Sequence, residues 1–132
     1  MGARVWKHIV PFEENIETVV RRLQQQVFGD GLFYSVDGPY HSIEDALESA
    51  TESGTRSILD VYALGDEPDI GVMGPLSEDM LEDYFESRTP TREDVEANLN
   101  FLDELERGAA VYIILYKNGV PNELFFAGIS FD

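Results

Sequence analysis

The side chains that could do chemistry are few, and their spacing suits little of it. The imidazoles are His8 and His41, too far apart to form the i, i+4 histidine pair of a zincin helix. Cysteine is absent, which removes thiolate metal sites, disulfides and thiol nucleophiles. Asp66-Glu67-Pro68-Asp69-Ile70-Gly71 is acidic enough to suggest a calcium loop, but ligand positions 1, 3 and 5 would fall on Asp66, Pro68 and Ile70, and the last two carry no side-chain oxygen. Gly29-Asp30-Gly31-Leu32-Phe33-Tyr34 opens like a dinucleotide fingerprint, yet it lacks the third glycine and follows a helix pattern where a strand is required. The only lysines are Lys7 and Lys117, so there is no phosphate-loop lysine. No serine stands in a Gly-x-Ser-x-Gly elbow. The expectation is a chain that requires no metal, nucleotide or other cofactor.

One acid stands out. The run Ser57 to Leu64 alternates like a strand, with Leu59, Val61 and Ala63 on one face and Ile58, Asp60 and Tyr62 on the other. A carboxylate there faces water or is buried with a partner, because an unpaired buried charge is costly. Arg56 and His8 are the candidate partners. This defines an enzymatic or ligand-binding alternative, with a site near Asp60, His8, His41 and the aromatics Tyr112, Tyr116 and Phe125. The aromatics have a plainer use, as sheet surface covered by helices.

Charge is the stronger signal. The 132 residues hold 26 acids and 9 bases, a formal net charge of −17, and 43% hydrophobic residues, enough to build a core despite the charge. Residues 1–40 carry 5 acids and 4 bases, residues 41–109 carry 19 and 4, and residues 110–132 carry 2 and 1. The middle of the chain is almost the whole anion. Such a field repels nucleic-acid phosphates and anionic membranes and draws basic proteins toward it. The longest apolar run, Ala109 to Tyr116, is far short of the roughly 20 residues of a membrane span, and the N-terminus lacks the apolar stretch of a signal peptide. A cytoplasmic protein is expected.

The elements that must carry these residues follow from periodicity. Val5 to Val10 reads as a strand. Ile16, Val19, Val20, Leu23 and Val27 form a helical stripe, stopped by Gly29 and Gly31. Leu32 to Val36 reads as a short strand, and Ser42 caps a helix that buries Ile43, Ala46, Leu47 and Ala50 and ends at Gly54. Gly65 to Pro75, with three glycines and two prolines, reads as a loop. Two acidic helices are expected next, one capped by Ser77 with the stripe Met80, Leu81, Tyr84 and Phe85, the other spanning about 91–107 with Val95, Leu99, Leu102 and Leu105 inward and Gly108 as its stop. Their outer faces hold Glu78, Asp79, Glu82, Asp83, Glu86, Glu93 and Glu96, with Asp103, Glu104 and Glu106 beyond. Finally, Ala110 to Lys117 and Val120 to Ile129 flank Asn118-Gly119, the pair favoured in a type I′ hairpin turn. A two-residue loop would pair Ile113 with Leu124 and Tyr112 with Phe125.

The chain thus reads as one α+β domain over residues 1–132, a mixed or antiparallel sheet of four or five strands ending in a hairpin and packed by about four helices. In size and electrostatics it resembles immunity proteins and nucleic-acid mimics that inhibit nucleases or other toxins. That resemblance covers no motif and transfers no residue roles. The charge carried on the two adjacent acidic helices leads to the expectation of a non-enzymatic protein that neutralises a basic partner through Glu78, Asp79, Glu82, Asp83, Glu86, Glu93 and Glu96. A salt-adapted domain is the competing explanation of the acidity, although adaptation spreads acids widely and residues 66–106 alone hold 14 acids against 2 bases.

Overall fold

Asn118 and Gly119 both adopt positive φ, 54° and 80°, and so close the hairpin on which the sheet is built. The computed structural model describes residues 5–31, 42–47, 55 and 57–130. In chain order these form β1 (Val5–Pro11), α1 (Ile16–Asp30), α2 (residues 43–47), a 3-10 turn at Ile58–Asp60, β2 (Ala63–Leu64), β3 (Val72–Pro75), α3 (Glu78–Phe85), α4 (Arg92–Ala97), a second 3-10 turn at Asn100–Glu104, β4 (Ala110–Lys117) and β5 (Val120–Ile129). The strand order is β1-β5-β4-β3-β2. The pairs β1–β5 and β5–β4 are antiparallel, while β4–β3 and β3–β2 are parallel. The fold is therefore α+β around one mixed five-stranded sheet.

Alternating side chains give this sheet two apolar faces, and helices cover both. On the first face Trp6, Met73, Ala110, Leu124 and Phe126 cluster with Val19, Val20 and Val27 of α1, Ala46 of α2, and Ile58, Leu59 and Val61. On the second, Val111, Ile113, Leu115, Phe125 and Ala127 cluster with Phe85 of α3, Val95 of α4, Phe101 and Leu102. Phe101 links that layer, with edge-on ring contacts to Phe85 at 5.7 Å and Phe125 at 6.3 Å. Trp6 is buried, as its apolar neighbours on β1 predict.

Several sequence expectations need correction. Ser57 to Leu64 is a strand only at Ala63–Leu64. Upstream, Ser57 Oγ accepts from the Leu59 N–H, and the Gln24 side chain donates to the carbonyls of Ile58 and Val61, so a 3-10 turn replaces the ladder. Gly65 to Pro75 is not all loop, because Val72–Pro75 is the inner strand β3. The helix expected over about 91–107 stops at Ala97. Asn98 leaves helical geometry at φ −144°, donating to the Tyr84 carbonyl and accepting from the Asn100 N–H, and the chain resumes as a 3-10 turn. Leu99, Leu102 and Leu105 still pack inward. Gly29 lies inside α1, and Gly31, at φ 70°, is its cap.

The hairpin register also differs from the simple two-residue expectation. Tyr116 pairs with Pro121 and Lys117 with Val120 as expected, but an irregularity at Leu115/Tyr116 shifts the rest by one residue. Ile113 pairs with Phe125, and Tyr112 with Phe126. Pro121 has no N–H for the ladder, and the skipped Asn122 instead offers its carbonyl to the Phe12 N–H. The strand expected at Leu32 to Val36, together with Ala50 and Gly54, lies outside the described residues.

Candidate functional site

The acidic surface is built on two capped helices. Ser77 Oγ accepts from the Met80 N–H at the start of α3, and Thr91 forms a full capping box with Asp94 at the start of α4. Both helices turn their apolar side chains to the second face of the sheet, leaving Glu78, Asp79, Glu82, Asp83, Glu86, Glu93 and Glu96 exposed. All seven residues expected on an outer surface are on it.

They are not electrically equivalent. Arg88 folds back to Glu82 at 2.7 Å and Glu78 at 3.0 Å, and these contacts raise the guanidinium pKa, the hydrogen bond to Glu82 first. Arg92 reaches Glu96 at 3.5 Å and Glu123 at 3.3 Å. Among the described residues Asp79, Asp83, Glu86 and Glu93 have no cation within 4.0 Å. Glu86 also occupies a left-handed position, φ 57°, as the C-cap of α3. That conformation favours glycine, and a helix C-terminus disfavours negative charge.

Beyond the start of α3 the acids line a groove of about 610 Å³. Its less exposed lining is apolar, formed by Pro68, Pro75, Leu76, Met80, Leu105 and Ala109, and its exposed rim carries Asp66, Glu67, Glu78, Glu104 and Glu106. Among the described residues no base lines it, although Arg88 pairs with Glu78 from outside. Three separate segments supply this rim. Glu67 is set there by Gly74, whose bare Cα lies against the Glu67 backbone. Glu104 accepts a hydrogen bond from the Tyr84 hydroxyl, which raises the phenol pKa. Asp66 adds to the effect of burial in raising the Tyr112 pKa. The sequence reading located these acids without grouping Asp66 and Glu67 with Glu104 and Glu106, because only the close approach of the β2–β3 connection to β3 brings them together.

The alternative centre at Asp60 is different in kind. Asp60 is buried, and its Oδ1 accepts from the Thr55 N–H at 2.5 Å and the Thr55 hydroxyl at 2.8 Å. Thr55 Oγ1 and Ser57 Oγ are also 2.8 Å apart. Burial raises the carboxyl pKa, while hydrogen bonds from Thr55 and Ser130 oppose that rise. No hydrogen bond or ion pair joins Asp60 to His8, and Arg56 and His41 lie outside the described residues. His8 sits on β1 with its ring centroid 6.1 Å from that of Trp6, and burial lowers its pKa. Nor do the aromatics form one surface. Tyr112 packs on the first face of the sheet and Phe125 on the second, a consequence of the shifted register.

Among the described residues no three His, Cys, Asp or Glu side chains converge to hold a metal ion, and no helix is long and apolar enough to cross a membrane. No protein-family model, curated protein or solved structure matches the chain.

Proposed function

We propose that this is a non-enzymatic binding protein that neutralises a basic protein by charge complementarity, in the manner of an immunity protein or a nucleic-acid mimic directed at a toxin or nuclease. The observation that carries this reading is the set of exposed carboxylates that have no cation within 4.0 Å among the described residues, Asp79, Asp83, Glu86 and Glu93, held on helices whose apolar sides are already used by the core. Fixed carboxylates attract cationic surfaces over a distance and accelerate encounter. The same field argues against direct nucleic-acid or membrane partners, and a chain without cysteine suits the cytoplasm. The enzymatic alternative is weaker, since the hydrogen bonds of Asp60 run to Thr55 and Ser130 and serve to tie its turn to the end of β5.

Capture of partners from the native host at low and moderate salt, followed by association kinetics with the purified partner, tests the reading. Reversing Asp79, Asp83, Glu86 and Glu93 to lysine should slow association at least tenfold and leave the fold intact. A partner whose association ignores both salt and reversal would leave the acids as a solvation layer, as in a salt-adapted protein.

A further inference from the structure

We infer that the groove between the β2–β3 connection, the start of α3 and the end of the second 3-10 turn is the pocket in which the basic partner seats an arginine side chain. The inference rests on the proposed function and deepens it by naming the contact. An arginine has an apolar stem and a planar, weakly hydrated cation at its tip. The groove has the complementary arrangement, with Leu76, Met80 and Leu105 below and Glu67, Glu104 and Glu106 above.

Charge complementarity selects this occupant over others. An apolar ligand would leave Asp66, Glu67 and Glu106 facing it without compensation, and an anion would meet these together with Glu104, which Tyr84 holds, and Glu78, which Arg88 pairs. A small metal ion would use the rim and leave the apolar floor empty. A second copy of this strongly anionic chain would bring like charge to like charge. Lysine could reach the same rim, but its compact, strongly hydrated ammonium cannot form the two parallel hydrogen bonds that a guanidinium makes with a carboxylate.

The supports of the groove are fixed before any partner arrives. Gly74 sets the backbone of Glu67, the Tyr84 hydroxyl holds Glu104, and Ser77 caps the helix that supplies Met80. Such preparation reduces the ordering cost on binding. The outer faces of α3 and α4 would then steer the partner, and the groove would hold it.

The test uses the full chain labelled with nitrogen-15 and a blocked pentapeptide carrying one arginine between two leucines. Amide shifts are followed at low salt, with the same peptide carrying lysine or glutamine in place of arginine as controls. The expected result is saturable shifts centred on residues 66–68, 76–80 and 104–109, weaker by at least threefold for the lysine peptide and absent for the glutamine peptide. The pair Glu67→Gln and Glu106→Gln, with an otherwise unchanged spectrum, should weaken binding at least fivefold. Shifts spread over the outer faces of α3 and α4 and missing from the groove would overturn the inference while leaving the charge-complementarity reading intact. Equal binding of the glutamine peptide would overturn it as well, by showing an apolar site. Groove shifts with a partner association that ignores reversal of Asp79, Asp83, Glu86 and Glu93 would preserve the groove and remove the steering role. Absence of saturable shifts in the groove would overturn the arginine assignment, whichever way the steering experiment falls.

Discussion

Gly74 and Glu67 are in backbone contact so close that a Cβ on Gly74 would fall 2.3 Å from the Glu67 carbonyl carbon. The obstruction is main chain, so it cannot be relieved by turning a side chain. Gly74 therefore lets the β2–β3 connection lie against β3 and places Glu67 on the groove rim. Gly74→Ala is expected to destabilise the protein by about 1–3 kcal/mol through overpacking. Urea unfolding would measure it. A midpoint equal to that of the unchanged protein would mean that the connection yields freely.

A second prediction concerns pH and Asp60. Its folded-state pKa lies above the ordinary value of 3.8, so the native state holds the proton more tightly than the unfolded chain. The contribution is fully present below that ordinary value and is lost as pH rises from it through the raised native pKa. Asp60→Asn should flatten this component, visible as a difference between variant and unchanged protein in unfolding free energy followed from pH 4 upward. Subtraction is needed because the other acids titrate as well. Asp60→Ala, which leaves the Thr55 N–H without its acceptor, should cost about 1–3 kcal/mol. A difference curve independent of pH would remove the linkage.

The backbone at Glu86 supports a third prediction. Its positive φ costs an ordinary residue about 1 kcal/mol that glycine avoids, and its charge opposes the end of the α3 dipole. Glu86→Gly should raise stability by about that amount and at the same time remove one exposed carboxylate from the surface. Thermal unfolding decides the first part and association kinetics the second. A stabilised variant with slower association would show a local cost retained for binding.

These positions also show what could be read from sequence. Asn118-Gly119 announces its hairpin because the two residues themselves supply the unusual φ values, and Ser77 and Thr91 announce helix starts because their side chains bond locally. The errors lie where a distant group decides. Gln24 fixes the carbonyls of Ile58 and Val61 from more than thirty residues away, so the alternation of Ser57 to Leu64 misleads. Val72–Pro75 is an inner strand despite its glycine and proline, because Gly74 is needed for the approach of Glu67 and Pro75 stands at the strand end. Asn98 ends α4 by bonding to Tyr84 on another helix. At the candidate site the acids were legible one by one and the groove was not, since its rim joins the β2–β3 connection to residues that follow α4.

The Arg88 clamp yields the last prediction. Arg88 neutralises Glu78 and Glu82 at the surface, and exposed pairs of this kind contribute little to stability because solvent screens them and ordering two long side chains has an entropic cost. Arg88→Gln should therefore leave the unfolding midpoint nearly unchanged while exposing two more uncompensated carboxylates beside Asp79 and Asp83. If the face steers a cationic partner, association with that partner should become faster at low ionic strength. The gain should fade near physiological salt, where the screening length is about 8 Å. Stopped-flow association at several salt concentrations measures both effects. An unchanged rate at low salt would mean that charge on this face does not guide encounter, and the acids would then serve hydration alone.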